Sequence, residues 1–398
     1  MTDIGPKDSD LETEGSFVYY RLPHANDIFR NTRHCEPLTL ASVAELNGRE
    51  GFVIAPFMTG GDCPVLLLET EWTKMSLEEL EQEAHRADSN DNGSDSNGMT
   101  ASRHNENGSA RSHEATPKDS TQGREEERSM YGEVFRRFHS TLCEGQFDKI
   151  VLSRKTVLTP QGRLSPLKMF AKACRRHPDT FVTLFCTRHS GMWLVATPET
   201  LIEGRAGDMH TMALAGTMRA DCLTTHTAQD HANADNTAWS DKNIAEQRIV
   251  ANYITQCVER HATACMSDGP HTVRAGEVAH LRTDISFRLK DTGHIGSLID
   301  DLYPTPAVCG MPKAQTRLFI ARNENYDRGY YSGFCGIVSP QGHTGLYVTL
   351  RCMRIDTLRN ACTLYAGGGL LRESDEETEW EETEAKMNTM RQLLTEDV

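Results

Sequence analysis

Residues 364–371 read Leu-Tyr-Ala-Gly-Gly-Gly-Leu-Leu, and residues 379–386 read Glu-Trp-Glu-Glu-Thr-Glu-Ala-Lys. The first is a hydrophobic strand with three glycines, where backbone can approach a ligand with no Cβ in the way. The second is an acidic helix whose Glu379, Glu382 and Lys386, three and then four residues apart, share one face. Trp380, Thr383, Met387 and Leu394 run beside them as a packing stripe. A carboxylate held against packed surface is costly unless a cation or a metal meets it. The plainer alternative is a solvated acidic face.

Working back toward the N-terminus, Val348–Met353 reads as a strand that sets Arg351 among apolar residues. A buried guanidinium calls for an anion, best a carboxylate taken in bidentate fashion. Tyr330–Val338 begins the final strands, and Leu302–Gly310 is a proline-rich corner leading into a helix. Val278–Ile285 is a strand carrying His280, either a pocket donor or a satisfied core histidine. Ser240–Arg260 is an amphipathic helix, and Glu246 lies three and four residues before Ile249 and Val250, toward its buried side. Two inward glutamates from separate helices, Glu246 and Glu382, are what a Mg²⁺ site completed by waters would use.

Ala220–Asp235 is polar and loop-like. Before it, the strand Met212–Thr217 ends in a Gly216-Thr217 corner whose N–H groups could receive a carboxylate, or which is an ordinary turn. Phe181–Thr187 and Met192–Ala196 form a hairpin. Glu199 emerges after Pro198 beside Leu201 and Ile202, surroundings that raise a carboxyl pKa into the general-acid range. In the strand Phe147–Val157, alternation puts Lys149, Val151 and Ser153 on one side and Ile150, Leu152 and Arg154 on the other. Lys149 is then a base whose pKa is lowered by apolar surroundings, or a strand-end lysine reaching back to water.

A helix spans Ser129–Cys143. Residues 84–128 are Asp, Ser, Asn, Gly, Glu and Arg with almost nothing apolar, which predicts a disordered insert. Residues 1–83 hold short strands at Ser16–Arg21, Gly51–Pro56 and Val65–Glu69, a peripheral part of the fold, and 129–398 form the functional domain. A net charge of -15 over 398 residues argues against nucleic acid or an anionic membrane as partner. The 12 cysteines lack CxxC or Cys/His metal spacing, and no apolar targeting segment is evident, so reduced thiols and a cytoplasmic location are expected.

Ten ordered blocks, DKIVLSR, ATPETLI, MALAGT, SDKNIAEQRIV, VAHLRTDI, YPTPAVCG, YYSGFCGIV, VTLRCMRI, YAGGGLL and EWEETEAK, resemble the chorismate-utilising enzymes from about Phe147 to Met390. The resemblance implies one large α+β domain, with two antiparallel sheets packed together and helices around them. Amine-adding members usually carry glutamine where this chain has Lys149. Lysine there, and the corner Pro304-Thr305-Pro306-Ala307, are similar to the water-adding isochorismate synthase branch, because water must lose a proton to attack while ammonia need not.

The resemblance implies a Mg²⁺-dependent conversion of chorismate to isochorismate, feeding menaquinone or siderophore biosynthesis. Lys149 would activate water for attack at C2, and Glu199 would protonate the leaving C4 hydroxyl. Mg²⁺ would bridge the ring carboxylate to Glu246 and Glu382, with Glu379 behind them. Arg351 and the backbone near Gly368 would bind the pyruvyl carboxylate, Gly216, Thr217 and Lys386 the ring carboxylate, with His280 and Ala307 lining the pocket. Such a site, trianionic without its metal, would take up metal and chorismate together. No glutamine amidotransferase subunit is expected, and a monomer is usual for the resemblance. Asn243, Gln247 and Tyr303 depart from the family's habits. Salicylate synthase, which adds a pyruvate-eliminating step, and a non-catalytic chorismate-binding homologue remain as alternatives.

Overall fold

In the strands Phe181–Thr187 and Gly191–Thr197 nearly every residue is buried, so both faces of each are covered. Alternation sends Val182, Leu184 and Cys186 to one core and Phe181 and Phe185 to another. The same division runs through the molecule. The computed structural model describes residues 16–31, 36–60, 62–92, 121–220, 239–275 and 277–395.

Numbered along the chain, the strands form two nine-stranded sheets with antiparallel pairing throughout. The first runs β14 (Gly310–Met311), β7 (Lys149–Leu158), β18 (Ala361–Leu370), β17 (Cys352–Asp356), β9 (Gly191–Thr197), β8 (Phe181–Thr187), β1 (Phe17–Arg21), β2 (Ile28–Asn31) and β6 (Trp72–Met75). The second runs β12 (Ala262–Ala275), β13 (Val278–Leu289), β11 (Asp208–Arg219), β10 (Thr200–Arg205), β16 (His343–Val348), β15 (Phe334–Val338), β4 (Gly51–Ala55), β5 (Val65–Leu68) and β3 (Leu38–Leu40). Phe185, Trp193 and Tyr365 of the first meet Phe52, Ile54 and Tyr347 of the second in an aromatic core between them.

Helices cover the two outer faces. α1 (Leu77–Asn92), α3 (Pro166–Arg176) and α7 (Glu376–Leu394) pack on the first sheet, and α4 (Asp241–His261) and α5 (Ile295–Leu302) on the second. α2 (Thr121–Cys143) and α6 (Lys313–Asn323) close over Ile150 and Leu152 of β7. The architecture is α+β, as expected: two packed antiparallel sheets surrounded by helices. Among the described residues no helix is long and apolar enough to cross a membrane.

Both ends of the stretch expected to be disordered, 84–128, are helical. α1 runs through Ala84 and Ala87, both buried, to Asn92, and α2 begins at Thr121 rather than Ser129. The polar residues at the start of α2 are ordered by tertiary ion pairs: Arg124 with Glu384, and Arg128 with Glu376 and Glu377. Residues 93–120, and the loop reading beyond Ala220 through Asp235, lie outside the described residues.

A second correction concerns Val348–Met353, which is no continuous strand. β16 ends at Val348 in one sheet and β17 begins at Cys352 in the other. Arg351 sits at the crossing with φ +44°, a left-handed conformation that is strained for a residue with a long side chain.

Candidate active site

The crossing places Arg351 at one wall of a cavity between the sheets. Glu199, Thr217, Glu246, His280, Ala307 and Lys386 also line it, from the β9–β10 turn, β11, α4, β13, the proline corner and α7. Every residue among these except Thr217 and Ala307 is buried.

Lys149, the first residue of β7, is fully buried behind Glu246, its Nζ 2.9 Å from Glu246 Oε1. The contact lies outside hydrogen-bond geometry, so the N–H donors of the ammonium are unspent among the described residues. Burial pushes the Glu199 carboxyl up to about 7, against the pull of Lys149, Arg351 and Lys386. About half of it therefore stays protonated at neutral pH, where an ordinary glutamate is almost fully ionised.

His280 is held in one state. Burial, then the charges of Arg351 and Lys386, lower its pKa to about 3. Arg351 Nη2 donates to His280 Nε2 at 3.1 Å, and since arginine only donates, Nε2 must accept. The ring proton then sits on Nδ1, 3.2 Å from Gly216 O and from Thr217 Oγ1. Gly216 lies at the bulge of β11 with φ +73°, and a Cβ there would stand 2.8 Å from Asn243 O. Asn243 Nδ2 donates to Thr217 O at 3.1 Å, so it ties α4 to this bulge.

The three glycines make room for carboxylates. A Cβ on Gly369 would fall 2.1 Å from Glu246 Oε1 and 2.7 Å from Lys149 Cε, and one on Gly368 would fall 2.6 Å from Glu379 Oε2. Gly367 and Gly369 line the cavity, whereas Gly368 faces the Glu379 carboxylate. Lys386 Nζ donates to Gly367 O at 2.9 Å and to Glu382.

Each of the buried glutamates on α4 and α7 has its own lysine: Glu246 has Lys149, Glu382 has Lys386, and Glu379 has Lys242. The trianionic site expected from the sequence is thus neutralised from within. Burial, reinforced by Glu382, raises the Glu379 carboxyl. Burial also opposes the charge on Glu382, but Lys386 and Lys242 outweigh it and hold that carboxyl low.

Among the described residues no group of three or more His, Cys, Asp or Glu side chains is placed to hold a metal ion by itself. Glu379 Oε2, however, is buried with no hydrogen-bond partner. Mg²⁺ takes one or two protein carboxylates and fills its shell with water and substrate oxygens. Glu246 and Glu382, each paired with a lysine, are carboxylates of the kind that ion takes, and Glu379 Oε2 is an unspent acceptor on the same helix as Glu382.

Sequence reasoning overlooked Lys242, although it stands four residues before Glu246 on α4, the spacing of a helical ion pair. Tyr331 and Ser332, which also line the cavity, gave no sequence signal beyond their block. Of the departures, Gln247 Nε2 donates to Ala213 O and Thr283 Oγ1, and Tyr303 bonds to Pro56 O and Ser332 O, so both serve the framework around the cavity.

Comparison with known proteins identifies the family. The salicylate biosynthesis isochorismate synthase of Pseudomonas aeruginosa is 34% identical over 259 residues, covering 64% of this chain and 52% of that protein. The isochorismate synthase MenF of Escherichia coli is 32% identical over 256 residues, covering 64% of this chain and 57% of the relative. The chain spans little more than half the length of these two curated relatives. The solved structure of MenF, the menaquinone-specific isochorismate synthase from Escherichia coli, matches with a TM-score of 0.69 at 23% identity, over 96% of this chain and 90% of that one, a likeness of fold. Residues 79–395 match the sequence profile described as "Chorismate binding enzyme". Ten ordered blocks, the two-sheet sandwich and that match lead to one conclusion: the chain belongs to the chorismate binding enzyme family.

Proposed function

We propose that this protein converts chorismate to isochorismate, adding water at C2 and releasing the C4 hydroxyl. One observation supports the reading: a buried cavity is lined by Glu199, a carboxyl still about half protonated at neutral pH, and by Glu246, directly behind which lies Lys149, an amine with unspent donors. Glu199 suits a general acid and Lys149 a group that orders and deprotonates water.

In the proposed step Lys149 first gives its proton to solvent, and the attacking water then loses a proton to the free amine as its oxygen bonds to C2. The C4–O bond breaks, and Glu199 supplies the proton with which the hydroxyl leaves. Atoms balance, the product is an isomer, and the two side chains regain their starting protonation through solvent. Glu246, 2.9 Å from Lys149 Nζ, stabilises the protonated amine. Arg351, with the backbone near Gly368, binds the pyruvyl carboxylate, and the neutral His280 accepts from its guanidinium and so fixes its direction. Gly216, Thr217 and Lys386 receive the ring carboxylate, and Ala307 leaves room for water. Glu246 and Glu382, with Glu379 behind them, would hold Mg²⁺, which supplies charge neutralisation for a carboxylate substrate.

The reading extends to residues 129–398 as the catalytic part and 1–83 as its periphery, working as a cytoplasmic monomer without an amidotransferase subunit. The relatives' names, salicylate biosynthesis and menaquinone among them, support a role in supplying isochorismate to menaquinone or siderophore biosynthesis. The test is product analysis with chorismate and Mg²⁺, without ammonia. Isochorismate that disappears with EDTA is expected. Salicylate with pyruvate would make the protein a salicylate synthase instead, and no product at all would make it a non-catalytic binder.

A further inference from the structure

Glu324 and Arg328 are each 2% exposed at the side chain and form a bidentate ion pair, Nε to Oε2 at 2.7 Å and Nη2 to Oε1 at 2.6 Å. Neither lines the cavity. Desolvating two charges is expensive, so the backbone bonds that accompany the pair need a reason. Arg328 Nη2 donates to Val151 O at 2.9 Å and Nη1 to Val308 O at 2.8 Å. Glu324 Oε1 accepts from Ser153 N and Ser153 Oγ, both at 2.9 Å.

These are the bonds a strand would have made. β14 pairs with β7 over only two residues, Gly310 with Ile150 and Met311 with Lys149, and Val151 N still reaches Cys309 O at 2.7 Å. Beyond Cys309 the chain turns away into the corner that carries Ala307 and Val308. Alternate residues of a strand direct their N–H and C=O groups to the same edge, so Val151 O and Ser153 N are the next acceptor and donor of the interrupted ladder. Arg328 satisfies one and Glu324 the other. Through Val308 O the same guanidinium fastens the corner to the strand, and Val151, Ala307 and Val308 all line the cavity.

We infer that Glu324 and Arg328 are a positioning pair, which sets the separation between the strand that begins at Lys149 and the Ala307–Val308 wall. This rests on the proposed reading of the cavity as the chorismate site. The pair thereby determines how much room remains for the ring and the attacking water. Displacement of a reacting group by about 1 Å costs on the order of 100-fold in rate.

Arg328→Lys keeps the charge opposite Glu324 but has no planar fork to reach both carbonyls. It is expected to fold with an unchanged melting profile and to lose about 100-fold in kcat for chorismate with KM within about threefold. Glu324→Met/Arg328→Met, which removes both charges together, guards against misfolding from a lone buried charge and should show the same kcat loss. A folded variant of either kind with wild-type kcat would overturn the inference while leaving the reading of the site intact. Hydrogen exchange needs no turnover: in the double variant the Ser153 amide should lose at least tenfold of its protection, while the Leu152 amide, on the edge facing β18, keeps its own. Unchanged Ser153 protection would likewise overturn the inference. A wild-type protein inert toward chorismate would defeat the site reading, and the exchange result would still decide whether the pair holds the strand.

Discussion

Glu199 is raised to about 7 because burial penalises its charged form more than Lys149, Arg351 and Lys386 favour it. Its folded-state pKa exceeds the unfolded value near 4.5, so between those two pH values the folded state holds a proton that the unfolded chain releases. Stability therefore declines as pH rises through that window. Glu199→Gln should remove this penalty: thermal melts ought to show the variant gaining on wild type at pH 8 but not at pH 4.5, with turnover down by 100-fold or more. A variant no more stable at pH 8 than at pH 4.5, relative to wild type, would contradict the assigned shift. The rate of the wild type should fall as pH climbs past 7, with no limb near 6 from His280, which stays neutral down to about 3. Lys149→Ala should abolish turnover, and unchanged activity would defeat the catalytic reading. At this scale the sequence pointed to a raised Glu199 carboxyl, although the burial that raises it comes from the cavity as a whole and not from the adjacent Leu201 and Ile202, which pack in the core under the second sheet. It was silent about Lys149 with Glu246 and Lys242 with Glu379, whose partners lie on separate elements.

At the level of elements, the glycine strand and the acidic helix behave as a fitted pair. β18 runs beside β7, and its glycines admit the carboxylates of α4 and α7 to within contact of the backbone. Gly369→Ala would put a methyl group 2.1 Å from Glu246 Oε1, so the Lys149–Glu246 pair must separate. Activity should drop at least tenfold and a Mg²⁺ titration should shift to higher concentration, while circular dichroism stays that of the wild type. Normal metal dependence in this variant would show that the glycine does not serve the carboxylates.

The glycine run was readable as a place of close approach, but whether ligand or carboxylate approaches was not. The start of α2 was misread for a related reason: composition reports how little apolar surface a segment has, not that Arg124 and Arg128 will find Glu384, Glu376 and Glu377 on α7. Arg351 was recognised as a buried cation needing an anion, yet a continuous apolar strand was assumed where the chain changes sheets. Nothing in Val-Thr-Leu-Arg-Cys-Met announces a left-handed residue.

Across the whole molecule, β1, β2 and β6 extend one sheet and β3, β4 and β5 extend the other. Tyr20 and Phe52, from that N-terminal part, meet Phe181 in the core between the sheets. A chain beginning at residue 77 would leave β8 and β15 each with only one of two strand neighbours and open that core to water. It is expected to be insoluble or to melt without a cooperative transition, and a soluble fragment that melts sharply would contradict this.

The lysine partners of Glu246, Glu382 and Glu379 have a practical consequence for handling the protein. Carboxylates that repelled one another would make the architecture depend on a divalent ion, as in domains that unravel when stripped of metal. Here the ammonium groups already act as internal counterions, so catalysis and folding should part company. Exhaustive dialysis against EDTA ought to silence the protein and leave its melting temperature within a few degrees, with activity returning at once when Mg²⁺ is restored.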